Sequence, residues 1–320
     1  MVPCRRLSGG LVMAPLTSPM TSVDGPMGAT VRLLNELRLP PGDLGDLPTS
    51  VKRFADGSRW RVEIPSVEGP DALVAVLDEA GQRGVGIDRV SQGSGIMLQT
   101  DPEIVRMVEL GRENDVEVCL FTGPRAAWDV GRQASTSSGA VAQTALRGQD
   151  QVRYAIEDVR HGCSLGLRSI LVADLGLLHV LAEAKRRGDL PEELVLKTSV
   201  SLPCTNPATA RVLEDLGANT LNLSVDLPVA AIAGIRAAVD VPLDVYVEGA
   251  DDFGSPVRYY EVPELVRVAA PIYLKFTVRN APGIYPAGGH LATTVLATAR
   301  ERVRRASIGL AMLNRYAPEL

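Results

Sequence analysis

Lysine is rare in this chain, and two of its lysines lie where a solvated charge is not expected. Of 33 basic residues, all but Lys52, Lys185, Lys197 and Lys275 are arginine. Lys197 and Lys275 each interrupt a short apolar run of the kind that forms a buried strand. A charged lysine in such a place can bind an anionic group, whereas a desolvated lysine beside another cation can form a Schiff base with a carbonyl.

Two carboxylates occupy comparable places in the sequence. Glu63 and Glu248 also lie within short apolar runs. Because an unpaired buried charge is strongly destabilising, these groups must pair with the lysines or meet a ligand. A carboxylate held in this way can act as a general acid or base. The sequence therefore predicts four catalytic residues, namely Glu63, Lys197, Glu248 and Lys275.

Further polar side chains lie at the ends of the same runs or in the loops that follow them. The loop at residues 123–138 is long enough to be a lid or a binding loop, although an ordinary surface excursion is the alternative. The loop at residues 278–290 carries an arginine and a Gly-Gly pair, which suit an anionic group in a barrel. The residues predicted to bind substrate are Arg125, Asp174, Asn222, Tyr246 and Arg279.

The elements that must position these residues follow a regular pattern from Trp60 onward. Apolar or β-branched runs alternate with longer helical periods, and eight strands with eight helices is the count of a closed barrel. The turn after the first strand lacks GxGxxG, which argues against an open doubly wound sheet. We therefore predict an α/β fold, a single (β/α)8 TIM barrel over residues 59–320, after an N-terminal extension at 1–58 with one short helix at 29–37. The predicted strands are Arg61–Ile64, Asp88–Ser91, Glu117–Thr122, Ser169–Asp174, Leu194–Ser199, Thr220–Ser224, Leu243–Glu248 and Ile272–Thr277.

Strand parity predicts which side chains enter the barrel. Alternate residues of a parallel strand lie under the helices and must be apolar, so the other set faces the interior. The second strand is ambiguous, since either Arg89 and Ser91 or Val90 and Gln92 could face inward. Because most of the polar set lies late in its strands, it should converge on the C-terminal mouth, although a closed ion-pair network is the alternative. The predicted inward set includes Glu63, Lys197, Ser199, Asn222, Asp244, Tyr246, Glu248, Tyr273 and Lys275.

Composition and motif searches exclude several classes of protein. The net charge of −5 and the absence of a basic stripe argue against nucleic acid, and no apolar run is long enough to span a membrane. The cysteines, at 4, 119, 163 and 204, form no CxxC pair, and their scatter is typical of a cytoplasmic protein. No histidine lies at a strand end and no GxSxG occurs, so we expect neither a catalytic metal nor a serine nucleophile.

The middle of the chain resembles a known family. The run at residues 206–252 contains Asn206, the helix end Leu216-Gly217-Ala218 and the strand end Val247-Glu248-Gly249, with Glu248 at a position of histidine in the family. This pattern resembles the collagenase-like peptidases of unassigned catalytic type, peptidase family U32. The resemblance implies a barrel fold. Members that bind an iron–sulfur cluster use cysteines soon after the seventh strand, and residues 249–260 contain none, so no cluster is expected.

Three functional hypotheses follow. The first is a hydrolase or lyase without a cofactor that acts on a small polar or anionic metabolite by acid/base chemistry at the barrel mouth. The second is a lyase of the aldolase type that forms a Schiff base through Lys197 or Lys275. The third is a binding or partner protein without catalytic activity, in which the polar lining is fully self-paired. The sequence leaves a homo-oligomer open.

Overall fold

The computed structural model describes residues 19–36, 47–129, 133–254 and 256–320, and these form a barrel of eight parallel strands. Neighbouring strands pair in the order β5-β4-β3-β2-β1-β8-β7-β6. Backbone bonds from Asn219 N to Leu196 O at 2.8 Å and from Thr198 N to Thr220 O at 3.1 Å join β5 to β6 and close the barrel. The predicted fold is confirmed. The strands are β1 Trp60–Pro65, β2 Arg89–Gln92, β3 Glu117–Phe121, β4 Ser169–Val172, β5 Val195–Thr198, β6 Leu221–Asn222, β7 Leu243–Glu248 and β8 Ile272–Phe276.

A helix follows each strand, and one further helix, α1, precedes the barrel. Local sequence signals explain where these helices begin. Thr100 and Glu103 form a capping box at the start of α3, and Asn206 Oδ1 accepts a hydrogen bond from Thr209 N at 2.9 Å to cap α6. The helices are α1 Gly28–Glu36, α2 Pro70–Arg83, α3 Asp101–Glu113, α4 Gly148–Ser164, α5 Leu175–Arg186, α6 Pro207–Asp215, α7 Val229–Ala238, α8 Val262–Ala269 and α9 Ala292–Tyr316.

The main hydrophobic core lies between the strands and the helices. Outward side chains such as Val62, Ile64 and Leu274 are fully buried there, as the parity rule requires. The last helix, α9, packs closely against β8 at Gly309, where a Cβ atom would lie 2.5 Å from the ring of Phe276. Because of this packing, α9 stands directly behind the strand that carries Lys275.

Residues 47–58, from the predicted extension, pack against the N-terminal end of the barrel. Ser50 N donates to Arg267 O at 2.9 Å, and Lys52 forms an ion pair with Asp240 at 2.6 Å. The ring of Phe54 meets that of Tyr273 edge to face, with 5.2 Å between centroids. This end of the barrel is therefore covered, and the opposite end carries the loops that follow the strands.

The described helices include none that is both long enough and apolar enough to cross a lipid bilayer.

Strand parity is correct at most positions and wrong at one. In β2 the ambiguity is settled, because Arg89 and Ser91 both contact Glu63 inside the barrel. In β7 a bulge lies between Tyr246 and Glu248, so that Tyr246 pairs with Lys275 but Glu248 pairs with the outward Phe276. The extra residue reverses the alternation. Glu248 therefore leaves the inward set, contrary to the sequence-based prediction.

Candidate active site at the barrel mouth

An ion-pair cluster fills the middle of the barrel. We call Glu63, Arg89, Lys197 and Asp244 the interior cluster; all four are buried. Lys197 Nζ bonds to Glu63 and lies 2.7 Å from Asp244 Oδ2, and Arg89 lies 3.5 Å from Glu63 and 3.3 Å from Asp244. Each acid of the cluster thus faces two cations of the cluster.

Neutral and outer partners complete this network. Ser91 Oγ donates to Glu63 at 2.7 Å, and Thr220 Oγ1 donates to Asp244 at 2.8 Å. Arg89 donates to Glu117 at 2.9 Å, and its guanidinium lies 3.6 Å from the ring centroid of Tyr273. The closed ion-pair network considered from the sequence is therefore present in the lower part of the barrel.

The charge on Glu63 is stabilised by its neighbours. Burial by itself would favour the protonated acid, but Lys197, Lys275 and Arg89 outweigh it and hold the pKa of Glu63 well below its usual range. Glu63 is therefore ionised at neutral pH. In this geometry Glu63 forms ion pairs with cations, and one of these cations, Lys275, extends toward the C-terminal end of the barrel.

A cavity of about 310 Å³ lies above the interior cluster, at the C-terminal ends of the strands. We call it the mouth cavity. Lys275, Asn222 and Tyr246 line its lower part, with Ser91 and Ser199 beside them. Its volume falls within the range of pockets that hold small molecules. The position is the one at which TIM barrels carry their active sites.

Lys275 is the central group of the cavity floor. Its Nζ lies 3.2 Å from Glu63 Oε1 and 4.4 Å from the ring centroid of Tyr246. With the Asn222 amide oriented so that its oxygen faces the surrounding donors, that oxygen accepts from Lys275 Nζ at 2.9 Å and from Val200 N at 3.2 Å. One carboxylate, one amide and one ring thus fix the direction of this side chain.

Tyr246 supplies a hydroxyl beside Lys275. Burial and the nearby charge of Glu63 raise the pKa of Tyr246 above its ordinary value, so its hydroxyl keeps its proton at neutral pH. A side-chain hydrogen bond from Asn222 reaches this hydroxyl. The floor therefore combines a lysine, a protonated phenol and an amide, all of which can donate hydrogen bonds to a negative oxygen.

Arg125 lies higher, in the wall of the cavity. Its guanidinium is stacked 4.0 Å from the ring centroid of Phe121 and 3.8 Å from that of Trp128, and it donates to Gly93 O at 2.7 Å. Within the described ranges, no carboxylate lies at ion-pair distance from it. Burial outweighs the nearby Tyr285 and Glu68 and lowers the pKa of Arg125 to about 10, which still leaves it cationic at neutral pH.

Five of the predicted site residues do not line the cavity. Two of them, Glu63 and Lys197, lie beneath its floor in the interior cluster, and the other three have contacts elsewhere. Asp174 caps α5 by accepting from Leu177 N at 2.9 Å, and its other oxygen accepts from Leu146 N at 3.1 Å. Arg279 is half-exposed and pairs with Asp251 at 2.8 Å. Glu248, turned outward by the bulge, contacts the last helix and the loop after β8 instead. The polar bonds of Glu248 are to Tyr259 Oη at 2.5 Å, Arg279 N at 3.0 Å and Arg305 at 3.5 Å.

Sequence reasoning missed the contacts that join the loops of the mouth. Tyr285, in the loop after β8, shares a hydrogen bond with Ser66, whose φ of 60° is left-handed and uncommon for a residue other than glycine. The ring of Tyr285 lies against Gly93, where a Cβ atom would come within 2.3 Å of the ring. Gly93 directly follows β2, and a side chain at this position would displace Tyr285. Strand periodicity carries no signal for such contacts between loops.

The loop after β3 closes the cavity on another side. Ala127 N donates to Gln143 O at 2.9 Å, which folds the loop back on itself, and Trp128, Gln143 and Thr144 line the cavity. Under the start of this loop, Asp158 accepts from Gly123 N at 3.1 Å, and burial raises the pKa of Asp158 to about 6. The expected binding loop is therefore part of the site wall.

In the part of the chain that the structure describes, no three His, Cys, Asp or Glu side chains are grouped as ligands of a metal ion. The described cysteines are free, and burial raises the pKa of both Cys119 and Cys204 to about 12, which disfavours the thiolate. The groups in the mouth cavity that can transfer a proton include Lys275, the phenols of Tyr246 and Tyr285, and the carboxylate of Asp252.

Comparisons with known proteins agree with the family predicted from the sequence. Residues 132–253 match the model of peptidase family U32. Among solved structures, the chain is similar to the U32 peptidase Mk0906, with 16% identity, 73% of this chain and 98% of that chain covered, and a TM-score of 0.43. It is also similar to thiamine phosphate pyrophosphorylase from Pyrococcus furiosus, with 11% identity, 79% and 96% covered, and a TM-score of 0.43.

No curated protein sequence matches the chain. The matched family region spans strands β4 to β7 and contains Lys197, Asn222 and Tyr246, whereas Glu63 and Lys275 lie outside it. The predicted resemblance is confirmed over this region: the chain resembles peptidase family U32 through the middle of its barrel.

Proposed function

We propose that this protein is an enzyme that binds a small anionic metabolite in the mouth cavity and acts on it by acid/base chemistry centred on Lys275. The observation that carries the proposal is the position of Lys275, whose side chain lines a cavity of about 310 Å³ while Glu63 holds it from below. A cation fixed in a water-poor site stabilises negative charge that develops on a reacting oxygen.

The neighbours of Lys275 suit this task. Tyr246 keeps its hydroxyl proton and can donate to the same oxygen, and Asn222 orients both groups through its amide. Glu63 is an ionised positioning group in this proposal, and Lys197 balances its charge in the layer below. Proton transfer to or from the substrate then falls to Lys275 or Tyr246, because Glu63 lies beneath the floor.

Arg125 would attract the anionic substrate from the cavity wall, above the lysine that binds its anionic group. Its two stacked rings and its bonds to backbone carbonyls fix the guanidinium, and no carboxylate within the described ranges neutralises it. A guanidinium fixed by its surroundings loses little entropy when an anion binds. The proposal therefore assigns Arg125 to attraction of the anionic substrate, and Lys275 both to binding of its anionic group and to the chemistry.

Turnover of a panel of small carboxylic acids and phosphate esters, followed by mass spectrometry, tests the proposal. We expect a compound whose turnover falls by about 100-fold or more in Lys275→Met, because general acid/base groups contribute about that much. Lys185→Met, on the outer helix α5, is the matched control and should keep wild-type turnover. Turnover that is equal in wild type and in Lys275→Met would contradict the proposal.

Schiff-base chemistry is the second candidate, and the geometry restricts it to one lysine. Lys275 lines the cavity, whereas Lys197 is fully buried among the carboxylates of the interior cluster. Borohydride reduction with carbonyl substrates should then add mass to the peptide that contains Lys275 and to no peptide in Lys275→Met. An adduct elsewhere, or none across the panel, would count against this candidate.

A binding protein without catalytic activity is favoured by one observation, the complete pairing of the carboxylates in the interior cluster. The open mouth cavity with Lys275 in its wall favours the enzyme. Long incubation with a ligand that binds through Lys275 distinguishes the enzyme from the binding protein. A binding protein would return the ligand unchanged, whereas the enzyme would convert it.

A further inference from the structure

The walls of the mouth cavity differ in character from its floor. Apart from Lys275, the lining includes the apolar Phe121, Leu171 and Val200, together with polar side chains such as Arg125, Gln143, Thr144 and Asp252. Phe121 and Leu171 belong to β3 and β4, where the interior of the barrel is apolar and forms its own small cluster. One patch of the lining therefore offers carbon surface, whereas the rest offers polar and charged groups.

Phe253 extends this apolar wall to the rim. It lines the cavity, yet 41% of it is exposed to solvent. The short turn that carries it is held in place, because Asp251 pairs with Arg279 at 2.8 Å and also accepts from Asn280 N. A large apolar side chain kept half-exposed beside a cavity has surface to bury against a ligand.

We infer that the ligand of the mouth cavity is an organic acid with a flat apolar body, held by its anionic group at Lys275 and by its body against Phe253 and the β3–β4 wall. This inference rests on the proposed function, which requires only that the ligand be anionic. It adds that the body of the ligand is hydrocarbon, aromatic or alicyclic, and not a sugar.

Desolvation is the reason to prefer an apolar body. A polyhydroxylated ligand would lose water from each hydroxyl as it entered, and every hydroxyl left without a partner costs binding free energy. The patch formed by Phe121, Leu171, Val200 and Phe253 has no side-chain donor or acceptor to offer in exchange, although Gln143, Thr144 and Asp252 also line the cavity. An apolar ring against the same wall gains free energy from the area that both surfaces bury.

Binding of three probes tests the inference by titration calorimetry on the full chain. Naphthalene-2-carboxylate has the charge and the ring, naphthalene-2-carboxamide has the same ring without the charge, and acetate has the charge without the ring. We expect the naphthoate to bind at least about tenfold more tightly than either of the others, since a charge-assisted hydrogen bond and an aromatic contact each contribute on this scale.

Two variants assign the contributions to residues. Lys275→Met should weaken the naphthoate about tenfold and leave the carboxamide unchanged. Phe253→Ala should weaken both ring probes about fivefold and leave acetate unchanged. Since Phe253 is half-exposed, this variant should fold even where Lys275→Met does not. Tyr260→Ala removes an exposed aromatic that does not line the cavity and should change nothing.

The results that would contradict the apolar body of the ligand differ from those that would contradict the proposed function. If acetate binds as tightly as the naphthoate, with affinity that depends on Lys275 but not on Phe253, the apolar body is wrong and the proposed anion site stands. If both ring probes bind equally and Lys275→Met has no effect, the anionic group is wrong and the proposed function falls with it. If no probe binds at millimolar concentration, the inference is overturned.

Discussion

Glu63 and Asp158 are two buried carboxylates whose pKa values are shifted in opposite directions. Glu63 lies in the interior cluster, where three cations overcome the effect of burial and hold its pKa well below the usual range. Asp158 lies under the loop that follows β3, where burial prevails and raises its pKa to about 6 despite a hydrogen bond from Gly123 N. The neighbouring charges, rather than burial alone, decide which carboxylate is stable as an anion.

Two arginines repeat the contrast between these regions. Burial acts against the charge of Arg89, but Glu117 and Asp244 outweigh it and raise its pKa well above the ordinary value. Arg125, in the mouth, has no such partner within the described ranges, and burial lowers its pKa to about 10. The interior cluster is thus complete in its pairing, whereas the mouth keeps charges that a ligand could satisfy.

The largest expected effect is the loss of stability when the interior cluster loses a cation. Lys197→Met keeps the length of the side chain but removes the charge that faces Glu63 and Asp244, both fully buried. Breaking a buried ion pair from one side leaves an uncompensated charge, so we expect the free energy of unfolding to fall by about 3–5 kcal/mol. Urea unfolding followed by circular dichroism measures it.

A surface pair provides the control for this measurement. Arg106 lies 3.7 Å from Glu109, and both side chains are half-exposed. Arg106→Met should lower the free energy of unfolding by about 0.5 kcal/mol or less, because exposed ion pairs contribute little. Equal losses in the two variants would show that the interior cluster is not the stabilising unit that its geometry indicates.

A smaller effect is expected from Asp158, and it depends on pH. Because the pKa of Asp158 is about 6 when folded and near 3.8 when unfolded, its contribution to stability is full below pH 3.8 and is lost as pH rises through 6. Asp158→Asn does not titrate and should gain stability relative to wild type between pH 5 and pH 8. We expect the gain to be on the order of 1 kcal/mol.

Chemical denaturation at pH 5 and pH 8 measures this gain. His161 contributes to the electrostatic environment of Asp158, so the measurement is repeated in the His161→Gln background. Asp150→Asn, at an exposed position on the same helix, should show no pH-dependent gain. A difference between wild type and Asp158→Asn that stays constant from pH 5 to pH 8 would contradict the assignment of a raised pKa to this carboxylate.

The sequence predicted the interior better than the mouth, for a physical reason. Alternation along each strand is a local property, so it placed Glu63, Lys197, Asn222 and Lys275 inside the barrel without knowledge of the register. Arg125 was predicted to bind substrate because it lies in an unusually long loop. The contact between Tyr285 and Gly93 joins loops that are far apart in the chain, and no periodicity encodes it.

Glu63 and Glu248, the two carboxylates predicted to be catalytic, differ in whether strand alternation places them correctly. Glu63 follows the alternation of β1 and contacts the lysines as expected. Glu248 follows the same alternation in the sequence, but the bulge between Tyr246 and Glu248 inserts one residue and turns its side chain toward α9. Nothing in the apolar pattern of residues 243–248 distinguishes a bulged strand from a regular one, so the error arises from pairing between strands.

We expect Glu248→Gln to have the smallest effect on function of the substitutions considered. Sequence parity makes Glu248 an inward catalytic residue, whereas the structure places its carboxylate against Tyr259 and Arg305, outside the mouth cavity. We expect Glu248→Gln to lower the free energy of unfolding by about 1 kcal/mol, because one buried charge-assisted hydrogen bond is weakened. Affinity for the naphthoate probe and turnover of any substrate found should stay at the wild-type value, in contrast to Lys275→Met. A folded Glu248→Gln variant that loses turnover while it keeps its affinity would restore the catalytic assignment, since a carboxylate that only ties α9 to β7 has no means of changing the chemical step alone.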